Sequence, residues 1–186
     1  MAAARIDTLR RQAPGSQRAA LADGEATLAE YSRASSAARS CTSSSLKAEA
    51  VRRDVNVTID VSPVATSADG YQLDYSTSYR FPAGILEADA AQLRPVAEAI
   101  ESRCRAKHVD AVEKAYHLGR LSSDDFVAEV SQGFRGCLAD AGVELQAGGD
   151  ARDALMRTDP NGSSGQAALA CGARYPSVFD APLLDG

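Results

Sequence analysis

The sequence predicts an α+β fold: an antiparallel β-hairpin, three-stranded if residues 143–145 join it, with amphipathic helices packed over one face and disulfides between them. Three observations lead there. Residues 121–145, LSSDDFVAEVSQGFRGCLADAGVEL, read as a capped amphipathic helix. Residues 26–41, ATLAEYSRASSAARSC, echo it. Between the two, the apolar period changes from helical spacing to strict alternation.

In chain order, residues 2–12 form a short amphipathic helix with Ile6 and Leu9 on one side, ended by Pro14 and Gly15. Ser16 caps a second short helix that stops at Gly24. Residues 23–31, DGEATLAEY, look like the second half of an EF-hand loop, but Ala19 and Leu21 fall where the first calcium ligands belong, and neither can ligate. Helix capping explains the same residues: Thr27 and Glu30 make a capping box, and Tyr31 opens a stripe continued by Ala34, Ala38 and Cys41. The polar run after Cys41 either extends this helix or frays into a loop.

Val55, Val57, Ile59 and Val61 then alternate with polar residues, a half-buried strand ended by Ser62 and Pro63. Asp69 and Gly70 supply a turn, and Tyr71, Leu73, Tyr75, Thr77, Tyr79 and Phe81 alternate again. A lone hairpin is marginal in water, so the helices must cover it. Pro95 fits the first turn of a long helix reaching Leu118, with Ile100, Cys104, Ala111, Ala115 and Leu118 as its buried arc and Gly119 as its stop.

In the helix that follows, Ser122 is the expected N-cap, boxed with Asp125, and Leu121 staples onto Phe126. Phe126, Val130, Phe134, Cys137, Leu138 and Ala141 form its stripe, and Gly142 ends it. Residues 151–157 make a short helix, 159–165 a flexible link, and 166–173 a last helix carrying Cys171, before a tail docked through Val178 and Phe179. The two echoing helices are either unrelated or a duplication.

The length of 186 residues bounds the chain to a single domain, with an N-terminal helix at 1–15, a helix–hairpin–helix–helix core at 16–145, and a C-terminal helix and tail at 146–186. Apolar residues make up 45%, much of it alanine, and there is no tryptophan, so the core is thin in large side chains. Twenty Lys and Arg against 25 Asp and Glu leave a net charge of −5 without a basic cluster, which argues against nucleic acid. No apolar run approaches a membrane span, and residues 1–11 have no signal-peptide h-region. Taken literally that implies a cytoplasmic chain; the cysteines point to the opposite compartment.

Cys41, Cys104, Cys137 and Cys171 allow three pairings, and sequence leaves all three open. The even count and thin core favour two structural disulfides, hence an oxidising compartment. Cys104 and His108, one helical turn apart, could reach one metal, but no second pair completes a zinc site, and a disulfide at Cys104 would abolish it. His108 otherwise sits at the edge of the core. Tyr71, Tyr75, Tyr79 and Phe81 share one strand face, either as core with the hydroxyls at its edge or as an aromatic ligand platform. No G-x-S-x-G elbow is present, and Gly148 and Gly149 are too weak a glycine signal for a phosphate loop.

Two functional readings follow. The first is a non-enzymatic binding or interaction domain outside the cytoplasm, at the cell envelope, with Tyr71, Tyr75, Tyr79, His108 and Tyr116 as candidate ligand contacts, no cofactor, and an unidentified protein or small molecule as partner. The alternative is a small enzyme or metal-binding protein using Cys104 and His108, with Tyr116 beside them.

LADGEATLAEY followed by a cysteine, the GYQLDYSTSY strand and a helix with Cys and His four apart together resemble small exported actinobacterial proteins. GCLADAGVEL, followed about thirty residues later by LAC, resembles the paired-cysteine C-terminal half of that group and of related lipoproteins. The resemblance covers most of residues 16–175. It implies an extracytoplasmic location, a hydrophobic anchor or signal ahead of residue 1 as the chain's link to a membrane, and disulfides; it implies no activity. Because it joins GCLADAG to the later LAC as one unit, it favours Cys137–Cys171 and therefore Cys41–Cys104, over the Cys41–Cys137 pairing that a packed duplication would give.

Overall fold

A computed structural model describes residues 2–52, 58–61, 65–74, 77–80, 87–146 and 148–180, with residues 58–61, 65, 74, 77–80, 87–90, 92 and 93 described by backbone alone. The described residues divide into two compact units, Met1–Val64 with Tyr75–Tyr116, and Ala65–Asp74 with His117–Gly186.

Helix dominates both, and the expected α+β class is corrected to a predominantly helical one. The extended segments are two short antiparallel ladders. β1 (Thr58–Val61) pairs with β4 (Thr77–Arg80), Thr58 opposite Arg80; β2 (Ala65–Thr66) pairs with β3 (Leu73–Asp74), Thr66 opposite Leu73. The alternating runs do find antiparallel partners, but not as one hairpin layer for helices to cover. Three residues separate β1 from β2 and only two separate β3 from β4, so one uninterrupted ladder is excluded. The longer connection carries Pro63, which has no N–H to give a ladder. Residues 143–145 are not a strand.

In the first unit, α1 (Ala2–Gln12) and α2 (Gly15–Ala20) lead into α3 (Leu28–Arg52), which packs along α4 (Glu87–His108). The expected capping box is formed: the Glu30 backbone N–H donates to Thr27 Oγ1 at 3.2 Å, and Glu30 Oε2 accepts from the Thr27 N–H at 2.9 Å. The serine-rich run after Cys41 continues the helix. Its buried face carries Tyr31, Ser35, Ala38, Thr42 and Leu46, mostly small residues that let two helices approach closely. Leu46 packs with Ala97, Ile100 and Cys104, and the Cys41–Cys104 disulfide crosses the same seam.

The long helix expected from Pro95 to Leu118 is two helices. α4 begins at Glu87 with Pro95 inside it, and α5 (Asp110–Leu121) starts afresh after a turn at Val109. Gln17, 1% exposed, stitches the break: its Nε2 donates to Ala106 O and its Oε1 accepts from the Ala111 N–H, both at 2.7 Å. Ser16 Oγ donates to Lys107 O at 3.0 Å, so it holds this break and is not the cap expected for α2. A buried side-chain amide thereby satisfies groups that a helix end and a helix start leave open.

The second unit is built on α6 (Asp124–Asp140), which α7 (Ala151–Arg157), α8 (Ser163–Arg174) and α9 (Ser177–Asp180) all contact. Its cap is Ser123, one residue later than expected: Ser123 Oγ accepts from the Phe126 N–H at 3.3 Å, while Ser122 Oγ donates to Gly119 O. The choice between adjacent serines falls to the one with an extended backbone. At the far end Gly142, at φ +78°, and Val143 donate back to Ala139 O and Leu138 O, a Schellman closure. Val143 and Leu145 fold back onto the core of Phe134, Leu138, Leu155 and Ala168, which is why no strand forms there. Cys137–Cys171 ties α6 to α8. Both disulfides are the pairs expected.

Asp69 joins residues 65–74 to α9. Its Oδ1 accepts from Ser67 Oγ and the Tyr71 N–H, and its Oδ2 from the N–H and Oγ of Ser177, at 2.6, 3.0, 3.2 and 2.7 Å. The turn read at Asp69 and Gly70 is real, with Gly70 at φ +66°, but its carboxylate is also the buried acceptor that fixes α9.

Candidate functional site

Two neighbouring rows of α6 side chains face a cleft of about 360 Å³ in the second unit. Residues four apart lie one above another on a helix. Phe126, Val130 and Phe134 form the buried row and the cleft's floor. Val127, Ser131 and Arg135 form the next row, which changes from apolar through hydroxyl to guanidinium over two turns, about 12 Å. Leu121 and Val178 close the apolar end. Gly148, Gly149, Asp150, Ala151, Arg152 and Ser177 complete the lining.

The electrostatics of the polar end are set by two arginines in different circumstances. Arg152 is paired with Asp150 at 2.9 Å. The Arg152 side-chain and backbone N–H donors hold the Asp150 carboxyl below its usual range, so this pair is lost at a lower pH than an unpaired carboxylate would be protonated. Arg135 has no carboxylate partner among the described residues. Its Nη1 donates to Gly149 O at 2.8 Å and its Nη2 to Gln146 O at 3.4 Å. These neutral acceptors aim the guanidinium without cancelling its charge, and they leave part of its five-donor fork unused. Val178 and Ser177 keep their places through Asp69, so the buried acceptor also shapes the cleft wall.

None of the described candidate ligand contacts, Tyr71, His108 and Tyr116, lines this cleft. Tyr71 is 1% exposed and stacks on His117 at 4.1 Å, with Phe126 at 6.3 Å; His117 Nε2 lies 3.1 Å from Tyr71 O and donates to it, since a carbonyl can only accept. Tyr75 and Phe81 lie outside the described residues, as does the Tyr79 side chain on β4, so the four-aromatic face does too. Tyr116, in the first unit, is buried against Tyr31 with ring centroids 5.3 Å apart. Tyr31 donates its hydroxyl to Glu113 at 2.6 Å, and Glu113 also pairs with Arg105. His108, half-buried, is the last residue of α4. The Cys104 sulfur is bonded to Cys41, so the expected metal pair with His108 cannot form. Among the described residues no group of three His, Cys, Asp or Glu could hold a metal ion.

Sequence reasoning missed Arg135, Arg152 and Asp150. The available signal was the row Val127–Ser131–Arg135, flanking the core stripe and followed by a Gly-Gly turn. No helix among the described residues is long and apolar enough to cross a membrane. Comparison with protein-family models, curated proteins and solved structures finds no match to the chain.

Proposed function

We propose that the protein is a disulfide-stabilised binding module of the cell envelope, acting outside the cytoplasm, and that it holds a small molecule in the cleft along α6. The observation that carries this reading is the cleft itself: an apolar floor graded into a polar end, backed by a core that the Cys137–Cys171 bond cross-links. A largely apolar concavity of a few hundred Å³ with a few convergent polar groups is the usual form of a small-molecule site. The compartment rests on the two disulfides, which persist where the surroundings are oxidising.

The test uses a neutral, environment-sensitive apolar dye. The native protein should bind it saturably at one site. Ser131→Trp, which places an indole in the cleft from an exposed position, should abolish that binding while leaving the melting temperature nearly unchanged. Equal dye affinity in both proteins would remove the cleft from consideration.

A further inference from the structure

We infer that the ligand of this cleft is an amphipathic carboxylate, its acid group on Arg135 and its apolar body along the floor toward Phe126. The inference rests on the cleft being a binding site and adds which molecule it takes. Features of the lining select the class. The row on α6 sets an apolar residue, Val127, and a cation, Arg135, at its two ends, so a ligand lying along it meets apolar surface at one end and positive charge at the other. Val127 is 38% exposed, apolar area that an occupant of the cleft would remove from water.

The charge balance of the lining fixes the sign. Asp150 is committed to Arg152, so those two cancel and Arg135 leaves the described lining with one net positive charge. Its carbonyl contacts hold the side chain in one pose, so little side-chain entropy remains to be lost when an anion binds. A carboxylate suits the planar donor fork, and the Ser131 hydroxyl one turn away is a further donor. A cationic amphiphile would meet the guanidinium as a like charge.

Calorimetric titration with octanoate, octanol and octylamine on the native protein separates the possibilities, since the three share one apolar chain and differ in the head. Octanoate should bind at one site about tenfold or more tightly than octanol, with octylamine weakest. Added salt should weaken octanoate and not octanol. Arg135→Gln should reduce octanoate to the affinity of octanol without changing octanol, and Arg135→Lys should restore part of the difference. If octanoate and octanol bind equally and Arg135→Gln alters neither, the carboxylate assignment is overturned while the cleft stands as an apolar site. If none of the three binds while the neutral dye still does, the carboxylate assignment is overturned and the cleft stands; if the dye fails as well, both readings fall.

Discussion

At Gly165 the backbone of Asp159 and Pro160 leaves no room for a methyl group. A Cβ built there would lie 1.8 Å from Asp159 O and 2.9 Å from Pro160 Cα, and backbone cannot step aside as the end of a side chain can. Gly136, in the interior of α6, meets nothing within 4 Å. The two should respond with opposite sign. Gly165→Ala should destabilise by about 1–3 kcal/mol through overpacking, whereas Gly136→Ala should stabilise by about 0.5–1 kcal/mol through helix propensity, both read from denaturant midpoints. Asp69→Ala should cost about 3 kcal/mol, since it strands four donors that now share one carboxylate, and it should weaken dye binding by releasing Ser177 and Val178. Dye affinity unchanged by Asp69→Ala would mean that α9 holds its place without that carboxylate. The sequence shows Asp69 and Gly70 as a turn because turn chemistry is local. It cannot show the burial of Asp69, because that depends on Ser177, 108 positions away.

The helices were the most legible elements. Capping box, apolar stripe and terminal glycine are short-range signals, and such signals located α1, α6 and α7 with small boundary errors and the start of α3, whose continuation past Cys41 to Arg52 they left open. The break at Val109 was not legible, since Gln17 and Ser16 supply its hydrogen bonds from about ninety residues upstream. The extended segments were over-read for a related reason: alternation fixes which face a side chain takes, not how many partners a strand finds. The disulfides close loops with sequence separations of 63 and 34, for which the chain-entropy relation gives roughly 4 kcal/mol each. Non-reducing peptide mapping should recover Cys41 with Cys104 and Cys137 with Cys171. The Cys137→Ser/Cys171→Ser double variant should lose several kcal/mol and weaken ligand binding, because α8 backs the floor of the cleft. Four titratable thiols in the unreduced native protein would contradict both the pairing and the oxidising compartment.

For the molecule as a whole, the net charge of −5 and the interspersed surface charges describe solubility and said nothing of the cleft, whose described lining carries the opposite sign. That local reversal comes from three side chains, Arg135 on α6 and Asp150 and Arg152 at the start of α7, and no average over the chain reveals it. That there are two disulfides was legible in the even cysteine count, while their pairing stayed open in the residues alone, and the site was not legible, because a cleft is made by what the folded chain leaves empty. The Asp69–Ser177 bond also has a bearing on time. A chain made or exported from its N-terminus presents Asp69 long before Ser177 exists. Until Ser177 emerges, that carboxylate lacks two of its four donors, although Tyr71 already has His117 and Phe126 to stack on. The cleft wall that Ser177 and Val178 supply therefore takes its place only after the rest of the described lining has been made.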